Sequence, residues 1–418
     1  MNSYFASVAQ DSDPELRNKP IAVMGKGKGT FVIAASKEAK KFGVKTGTNK
    51  YDAMRMCPGI VFVAPQFDKY VEKTAIFLKI FHEFSPCVEP FSIDEAFIDI
   101  TNTYFIKSNY NPIDVVIMIK KRMLEELGSV ITCSVGIANN KLMAKFGSDL
   151  QKPNGIVYLT PDKYIEVLDK FPLTDICGIG RRIFARLEMM GISDFPTLRN
   201  TSFMKLKKEF GNVQGRFLYL AARGQSYTKV DPSAFFDDAK SVSHGETFTE
   251  VKSGKDFFSI IYKLCEKVSL RLRTKELYAK NINIFLKDKA FLGTGFETRL
   301  PFYSNTTQDI FGAVIKNIPL NFEAKFACVS AYELSRTRNY DLFTRLDKKD
   351  NLQRAIDKIN HKFGHFTVTP ASVTKPDDLE NNVDVPFSGF DRDAKTGKDI
   401  ATLMKQRSTI LHKILHGS

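Results

Sequence analysis

Asp94 and Glu95 are neighbouring carboxylates, and their setting makes them the first candidates in this sequence for metal binding. Strand-forming residues fill 88–93 and 96–100, which predicts a tight β-hairpin with the acidic pair at its bend. Neighbours on a flat strand point to opposite faces, whereas two consecutive carboxylates at a bend can converge. Converging carboxylates favour Mg²⁺, which prefers oxygen ligands. The alternative is a solvated turn, where acidic residues are common.

Lys37 and Lys40 belong to a basic segment ahead of the hairpin, directly after Ser36. Ser36 is predicted to cap a helix that begins at Lys37 and is stopped by Gly43. An ammonium group at the start of a helix opposes the macrodipole unless an anion is present. The position of the two lysines therefore favours a phosphate-facing role over a merely solvated one.

The motif Gly178-Ile179-Gly180-Arg181-Arg182 joins two predicted helical segments. A Gly-x-Gly turn at the start of a helix exposes backbone N–H groups to an anion, and the two arginines add positive charge. This pattern is typical of a helix-hairpin-helix, which grips a nucleic-acid phosphate without reading bases. The alternative is an ordinary αα-hairpin with a glycine turn.

The elements that must position these motifs alternate between strands and helices. We expect strands at 21–24 and 30–35, a helix at 68–84, the hairpin, a helix at 114–127, a strand at 130–137, a helix at 140–150 and a strand at 156–159. This order predicts an α+β domain that resembles a palm and carries the acidic bend in its sheet.

A loosened pattern around 221–238 predicts a linker, and a second domain follows it. Its predicted elements are a strand at 241–248, a helix at 255–273, strands at 278–288 and 296–304, a helix at 307–317 and a strand at 325–337. The order β-α-β-β-α-β defines a split βαβ unit. The tail at 346–418 has a helical piece at 351–363 and then becomes polar, which predicts flexibility in part of it.

Charge and composition point to a nucleic-acid partner. The 418 residues carry 61 Lys and Arg against 47 Asp and Glu, a formal net charge of +14, which favours a polyanionic ligand. No apolar run is long enough to span a bilayer and no signal peptide is visible, so a cytoplasmic location without membrane contact is expected. The six cysteines lack a Cys-x-x-Cys, which argues against zinc and fits a reducing compartment.

Four motifs in order along the chain resemble those of the Y-family translesion DNA polymerases, in particular the bacterial branch that includes DNA polymerases IV and V. They are NSYFASV at 2–8, SIDEAF at 92–97, SVGIA at 134–138 followed by Lys141, Lys145 and Lys152-Pro153-Asn154-Gly155, and GIG at 178–180. The resemblance implies an α+β multidomain fold with the layout of a right-hand polymerase. The implied domains are a palm at 1–12 and 65–160, small fingers at 13–64, a helix-hairpin-helix thumb at 161–225, a linker at 226–239, a β-α-β-β-α-β little finger at 240–345 and a C-terminal tail at 346–418.

The resemblance also implies a role for each motif residue. Asp94 and Glu95, with the main-chain carbonyl of Met1, would hold two Mg²⁺ ions, and Glu95 would lie nearest the attacking 3′-hydroxyl. Phe5 would be the steric gate that blocks a ribose 2′-hydroxyl, and Tyr4 with the main chain around it would line the triphosphate site. The remaining assignments are triphosphate contacts at Lys37, Lys40 and Lys152, and DNA contacts at Lys145, Gly178, Ile179, Gly180, Arg181 and Arg182. The implied partners are primer–template DNA and deoxynucleoside triphosphates, with a sliding clamp as a further candidate.

The sequence departs from the family pattern at two places. Many members carry Tyr and Arg where this chain has Lys37 and Lys40; lysine keeps the charge but lacks the hydroxyl and the bidentate fork, which predicts weaker triphosphate binding. The family's first metal-binding Asp falls immediately before Met1, and the neutral Asn2 is no plain substitute for it. We expect a start placed too far downstream rather than an inactive enzyme, because the other motif residues are intact.

The leading hypothesis is a template-directed DNA polymerase that copies past damaged bases by two-metal nucleotidyl transfer, in DNA repair and damage tolerance of the SOS type. The alternative is a catalytically weakened homologue that binds DNA as a scaffold. A nucleotidyl cyclase also uses a palm with paired acids, but it has no need for the thumb motif or for a basic second domain. No Gln-x-x-Leu-x-Phe clamp peptide is visible in the sequence, and 386–390 is a candidate partner contact with an exposed turn as the alternative.

Overall fold

The computed structural model describes residues 1–25, 31–235, 239–319, 322–337, 346–364 and 367–370. Most of the 346–418 tail, including the candidate contact at 386–390, lies outside the described residues. The described residues form two compact units, which divide between 235 and 239. The first unit carries every residue predicted to act on metal, nucleotide or phosphate.

The bounds of the elements are as follows. The helices are α1 (Tyr4–Ser12), α2 (Lys37–Lys40), α3 (Lys50–Met56), α4 (Phe67–Phe84), α5 (Tyr104–Lys107), α6 (Pro112–Leu127), α7 (Lys141–Leu150), α8 (Tyr164–Leu168), α9 (Arg181–Met189), α10 (Phe195–Asn200), α11 (Phe203–Ala221), α12 (Gly254–Thr274), α13 (Thr307–Ile315) and α14 (Leu346–Phe363). The strands are β1 (Ile21–Met24), β2 (Val32–Ala35), β3 (Val61–Val63), β4 (Val88–Ser92), β5 (Glu95–Ile98), β6 (Val135–Ile137), β7 (Ile156–Tyr158), β8 (Ser241–Lys252), β9 (Tyr278–Lys287), β10 (Gly293–Ser304) and β11 (Ala324–Ser335).

The β4–β5 hairpin shares one hydrophobic core with α1, α4 and α6. Helices α4 and α6 contribute apolar residues at three- and four-residue spacing, such as Phe77 and Phe81 on α4 and Ile119 and Met123 on α6. The predicted helices at 68–84 and 114–127 are confirmed, each beginning one or two residues earlier than expected. Burial of these apolar faces holds the acidic bend in place.

A three-stranded sheet, in the order β2-β1-β3, forms the basic segment ahead of the hairpin. The predicted cap at Ser36 is confirmed, because its hydroxyl accepts a hydrogen bond from the backbone N–H of Ala39 at 3.2 Å. Helix α2 is only four residues long, and Gly43 lies beyond it at a φ of 86°, in the left-handed region that favours glycine.

The parallel pair β6–β7 flanks helix α7. The predicted strand at 130–137 is wrong in extent, since only Val135–Ile137 pairs with a neighbouring strand. In the preceding residues, the carbonyl of Thr132 accepts from the N–H of Asn2 at 2.8 Å, and the hydroxyl of Ser134 accepts from the Asn2 side chain at 3.1 Å. These groups form hydrogen bonds with Asn2 near the start of the chain and not with a neighbouring strand.

Helices α8 to α11 pack around a second apolar core that also takes in α7. The motif at 178–182 lies on the approach to α9, after a 3₁₀ turn at Leu173–Asp175. Helix α11 is interrupted at Gly211, where φ is 79°.

The second unit is a four-stranded antiparallel sheet in the order β10-β9-β11-β8, with α12 and α13 packed against it. The predicted succession β-α-β-β-α-β is confirmed element by element. Helix α14 follows, and Arg273 of α12 forms a two-point ion pair with Asp357 of α14 at 2.6 and 2.9 Å. The helical piece expected at 351–363 is confirmed, and it begins earlier, at Leu346. Among the described residues no helix has both the length and the apolar character needed to cross a bilayer.

Candidate active site and phosphate contacts

The predicted hairpin is confirmed, with its bend one residue earlier than expected: Asp94 lies in the tight turn, and Glu95 is the first residue of β5. Ser92 and Glu95 face each other in the ladder, which leaves Ile93 and Asp94 as the turn. The Ser92 hydroxyl donates to Asp94 Oδ1 at 2.8 Å and fixes the direction of that carboxylate. The amino group of Met1 donates to the carbonyl of Asp94 at 2.7 Å, so the start of the chain lies against the turn.

A cleft of about 950 Å³ opens beside the hairpin. Its lining includes Met1 and the two carboxylates on one side and the lysines of the α7 region on the other: Asp94, Glu95, Lys141, Lys145 and Lys152. The structure therefore brings together the predicted metal ligands and one predicted triphosphate lysine, although 57 residues of sequence separate Glu95 from Lys152.

Lys145 is bound to the carboxylate of Glu95. Its Nζ donates to Glu95 Oε1 at 2.5 Å and lies 3.5 Å from Asp149 Oδ2, and its side chain is 18% exposed. Burial would lower the pKa of Lys145, but the hydrogen bond and charge of Glu95, with a further contribution from Asp149, raise it. Sequence spacing located the helix that carries Lys145 but not its partner Glu95, and the DNA contact expected for Lys145 stays a prediction.

Asp149 is a site residue that the sequence reasoning missed. It contacts Lys145 on one side and forms an ion pair with Lys152 on the other. The signal was available, since Asp149 is four residues after Lys145 and three before Lys152, which is the spacing of neighbours on a helix surface. Asp149 thereby connects the carboxylate pair to the predicted triphosphate lysine.

Lys40 of α2 lies close enough to Lys152 for the two ammonium groups to interact. Protein atoms around the Lys40 ammonium remove part of its hydration and so lower its pKa, and repulsion from Lys152 lowers the pKa further. The residue as a whole is nevertheless exposed. Two cations that repel each other favour the binding of a polyanion between them. Lys37 has a side chain that is 64% exposed, and its ammonium lies 3.8 Å from Glu38. Of these three lysines, Lys152 lines the cleft, whereas Lys37 and Lys40 are not among the described residues that line it.

The aromatic pair at the start of α1 divides into a buried and a partly exposed residue. The Tyr4 side chain is buried and its hydroxyl donates to the carbonyl of Tyr70 at 2.7 Å, so only the main chain of Tyr4 remains available to a nucleotide. Phe5 is partly buried and stacks on the Tyr70 ring at 4.2 Å with an interplanar angle of 12°. One face of the Phe5 ring is therefore covered by Tyr70. Neither Tyr4 nor Phe5 is among the described residues that line the cleft, and the steric-gate role of Phe5 stays a prediction.

Asn2 has a structural role. Its side chain donates to Ser134 and accepts from the hydroxyl of Thr132 at 3.1 Å and from the N–H of Asn154 at 2.9 Å. Because its amide is committed to these partners, Asn2 does not replace a carboxylate in metal binding, in agreement with the sequence-based expectation.

The donor chemistry of Asp94 and Glu95 fits a hard divalent cation, since both present carboxylate oxygens. Lys145 already lies against Glu95 and would compete with a metal ion for its Oε1. Within the described part of the chain, no three His, Cys, Asp or Glu side chains come together in a group that could hold a metal ion. Beyond Asp94 and Glu95, main-chain carbonyls, water and the phosphates of a bound nucleotide would supply further oxygen ligands.

The thumb motif presents an exposed glycine turn and two exposed arginines. Gly178 has a φ of 103°, and a Cβ added there would lie 2.7 Å from the Phe217 ring, so both its backbone conformation and its surroundings require glycine. Gly180 precedes the first residue of α9, where Arg181 and Arg182 are exposed. Ile179 is 1% exposed and its N–H donates to the carbonyl of Ile176 at 3.0 Å. The buried side chain of Ile179 anchors the turn in the thumb core, and the DNA contact expected for this residue stays a prediction.

Comparison with known proteins agrees with this architecture. Residues 1–149 match the model of the impB/mucB/samB family, 174–226 match the thumb domain of DNA polymerase iota, and 239–322 match the impB/mucB/samB C-terminal domain. The fold is similar to that of a solved Y-family DNA polymerase chimera of Dbh and Dpo4, with a TM-score of 0.66, 22% identity, and coverage of 79% of this chain and 96% of that one. The chain belongs to the Y family of DNA polymerases.

Its relatives within that family include bacterial proteins named DNA polymerase IV. The chain is 36% identical to DNA polymerase IV of Moorella thermoacetica, over 88% of this chain and 93% of that protein. It is 31% identical to DNA polymerase IV of Pelotomaculum thermopropionicum, over 90% of this chain and 96% of that protein.

Proposed function

We propose that the protein is a template-directed DNA polymerase that copies past damaged bases and uses two Mg²⁺ ions held by Asp94 and Glu95. The observation that carries this proposal is the cleft in which the carboxylate pair, the start of the chain and Lys152 come together. Paired metal ions bound there would lower the pKa of the primer 3′-hydroxyl and neutralise charge on the triphosphate. Phosphoryl transfer leaves the protein mainly positioning and electrostatic work.

The side chains around the cleft divide this work between them. Lys145 holds the Glu95 carboxylate in one orientation, and the Ser92 hydroxyl does the same for Asp94. Lys152 and Lys40 bind the triphosphate of the incoming nucleotide between them, and the pKa of Lys40 rises as the anion arrives, because the anion offsets the repulsion from Lys152. The main chain at Tyr4 lines the same site.

Phe5 excludes a ribose 2′-hydroxyl through its position and rigidity. Its ring is stacked on the fully buried Tyr70 and cannot swing aside without breaking that contact. A side chain excludes a larger sugar most effectively when its position is fixed. The stacking of Phe5 on Tyr70 therefore contributes to the selection of deoxyribose over ribose.

The DNA partner is bound mainly through phosphates. The glycine turn at 178–180 and the exposed Arg181 and Arg182 contact the duplex backbone, and the net charge of +14 adds attraction without sequence preference. Lys37, exposed and outside the cleft lining, is assigned to the outer end of the triphosphate path. A cytoplasmic location is proposed as well, because the relatives named DNA polymerase IV are bacterial proteins and bacterial DNA lies in the cytoplasm. Recruitment by a sliding clamp through the 346–418 tail stays a prediction.

The test is primer extension by the full chain with a Met-Asp dipeptide added ahead of Met1, which supplies the third carboxylate of the family pattern. With Mg²⁺ this protein is expected to extend a primer, and Glu95→Ala is expected to abolish extension while binding of primer–template DNA is retained. Glu166→Ala is the matched control, because Glu166 is an exposed helix residue paired with Lys170. If the Asp-bearing chain binds primer–template tightly and extends nothing, the polymerase proposal is wrong and a DNA-binding scaffold takes its place.

A further inference from the structure

Two parallel ion pairs join the catalytic hairpin to helix α7. Glu95 on β5 binds Lys145 at 2.5 Å, and Glu89 on β4 binds Lys141 with both carboxylate oxygens, at 2.5 and 2.6 Å. Lys141 and Lys145 are four residues apart and therefore lie one above the other on the same face of α7. The mechanism proposed above uses the first pair and leaves the second unexplained.

The two pairs share one face of the hairpin. Glu89 is paired across the ladder with Phe97, which is two residues after Glu95, so the three side chains point to the same side. The Lys141 ammonium also lies 4.9 Å from the centre of the Phe97 ring. A rotation or shift of α7 at Lys141 would therefore move Lys145, one turn further along the same helix.

The Glu89–Lys141 pair is the more deeply buried of the two. Its side chains are 8% and 14% exposed, against 32% and 18% for Glu95 and Lys145. A charge buried to this degree needs its partner and its hydrogen bonds in place, because an uncompensated ion in the interior is strongly unfavourable. The geometry of Glu89 is thus tightly constrained by what it binds.

The third partner of Glu89 comes from the segment that leaves the thumb and leads toward the second unit. We call residues 226–235 the connecting segment. The backbone N–H of Asp231 donates to Glu89 Oε2 at 2.7 Å, and the thiol of Cys87 donates to the carbonyl of Val230 at 3.7 Å. The connecting segment therefore lies along β4, with its main chain bound to the same carboxylate that holds α7.

The start of α7 makes a second contact with this part of the chain. Asn140, which caps α7 through its side chain, also donates from Nδ2 to the carbonyl of Gly224 at 2.9 Å. The N-terminal turn of α7 is thus attached to the chain on both sides of residue 225, once through Asn140 and once through Lys141 and Glu89.

We propose that Glu89 is a positioning residue that couples the seating of the connecting segment to the orientation of the catalytic carboxylate. When the Asp231 N–H is bound, Glu89 holds Lys141, α7 keeps its place, and Lys145 holds Glu95. When that hydrogen bond is lost, α7 gains freedom and Glu95 loses its fixed orientation. The role of Glu95 rests on the proposed function, whereas the mechanical coupling does not.

The first variant removes the hydrogen-bond donor without touching either ion pair. Asp231→Pro deletes the backbone N–H, and the next residue is already Pro232. Asp231→Ala is the matched control, because it keeps the backbone N–H and loses the contacts of the side chain, among them those to Ser233. Glu89→Gln is a second variant that keeps the shape of the side chain and removes its charge.

Two measurements are made on the full chain bearing the added Met-Asp. In Asp231→Pro and Glu89→Gln, hydrogen exchange is expected to accelerate about tenfold in the connecting segment, in α7 and in the hairpin turn. The reason is that the loss of a charge-assisted hydrogen bond corresponds to roughly a tenfold change in an equilibrium constant. In primer extension, kcat is expected to fall roughly tenfold while KM for the nucleotide changes less than about twofold, since Lys152 and Lys40 remain. Asp231→Ala should resemble the unchanged chain in both.

The pattern of exchange across the first unit distinguishes the coupling from a local or a global loss of stability. Faster exchange in the connecting segment alone, with α7 and the hairpin unchanged, overturns the proposal. Faster exchange throughout the first unit, with kcat and KM both altered, shows a merely structural residue and also overturns it. Hydrogen exchange is measured without substrate. A failure of primer extension would therefore refute the proposed function, while the exchange data would still test the coupling.

Discussion

Replacing Lys145 by Met should separate the two effects that this ammonium has on Glu95. Methionine has a similar length and no charge, so Lys145→Met removes the 2.5 Å hydrogen bond to Glu95 and the 3.5 Å contact with Asp149 while largely preserving packing. Glu95 then loses the group that orients it. It also loses a positive charge that competes with a metal ion for the same carboxylate oxygen.

The size of the first effect follows from the contact. A hydrogen bond to a charged group contributes about 1.5–3 kcal/mol, and the Lys145 and Glu95 side chains are only 18% and 32% exposed, so solvent screens the pair incompletely. Since about 1.4 kcal/mol corresponds to a tenfold change in rate, kcat should fall roughly 10- to 100-fold if Lys145 positions Glu95 in the transition state. The second effect has the opposite sign: the Mg²⁺ concentration for half-maximal rate should fall, because a repelling cation has been removed.

The assay is single-nucleotide primer extension over a Mg²⁺ titration, with the Asp-bearing chain as reference. Lys170→Met is the control, because Lys170 pairs with Glu166 on an exposed helix, at 2.7 Å, away from the cleft lining. A thermal unfolding curve for each variant shows that the folded fraction is unchanged at the assay temperature. A half-saturating Mg²⁺ concentration that rises, or a kcat equal to that of the reference, would refute the reasoning.

Three further predictions concern the nucleotide and the duplex. Phe5→Ala should reduce the preference for deoxyribonucleotides over ribonucleotides roughly 10- to 100-fold in competition assays, and an unchanged preference would exclude Phe5 as the gate. Burial and repulsion from Lys152 lower the pKa of Lys40 below 10.5 in the free protein. A bound triphosphate would raise this pKa again, so at alkaline pH Lys40 is protonated more often in the complex than in the free protein. Calorimetry in two buffers of different ionisation enthalpy should therefore detect proton uptake at alkaline pH, lost in Lys40→Met; equal heats in both buffers would contradict this. Replacing Arg181 and Arg182 together by Gln should lower the slope of log K against log salt concentration by about 2 units, whereas an ordinary αα-hairpin would leave the slope unchanged.

Local patterns predicted many of the elements of this fold, although the strand expected at 130–137 was too long and α3, β3 and α5 were not predicted. The acidic bend was visible because strand-forming residues flank Asp94 and Glu95 on both sides, and the hairpin register places Asp94 in the turn and Glu95 at the start of β5. The second unit was equally accessible, since its strands and helices change hydrophobic period at their boundaries and the structure repeats that order. In both cases the signal lies within a few residues of the feature it predicts.

Long-range partners could not be predicted in the same way. The spacing of Lys145 placed it on a helix, but its contact with Glu95 depends on how α7 packs against the hairpin, 50 residues away in sequence. The bond between Asp231 and Glu89 spans 142 residues, and the sequence at 226–239 indicated only a linker. The burial of Ile179 was not visible for a related reason, because this motif residue lies between two exposed glycines and its side chain fills the thumb core.

The Phe5–Tyr70 stack has a consequence for how sugar choice can be tuned. Tyr70 is fully buried on α4 and lies outside the cleft lining, yet its ring supports the one assigned to face the sugar. Tyr70→Leu would leave every cleft residue unchanged and give Phe5 room to tilt. Substitutions at the buried position 70 are therefore a way to make a polymerase that accepts modified riboses while the residues of the reacting site stay unchanged.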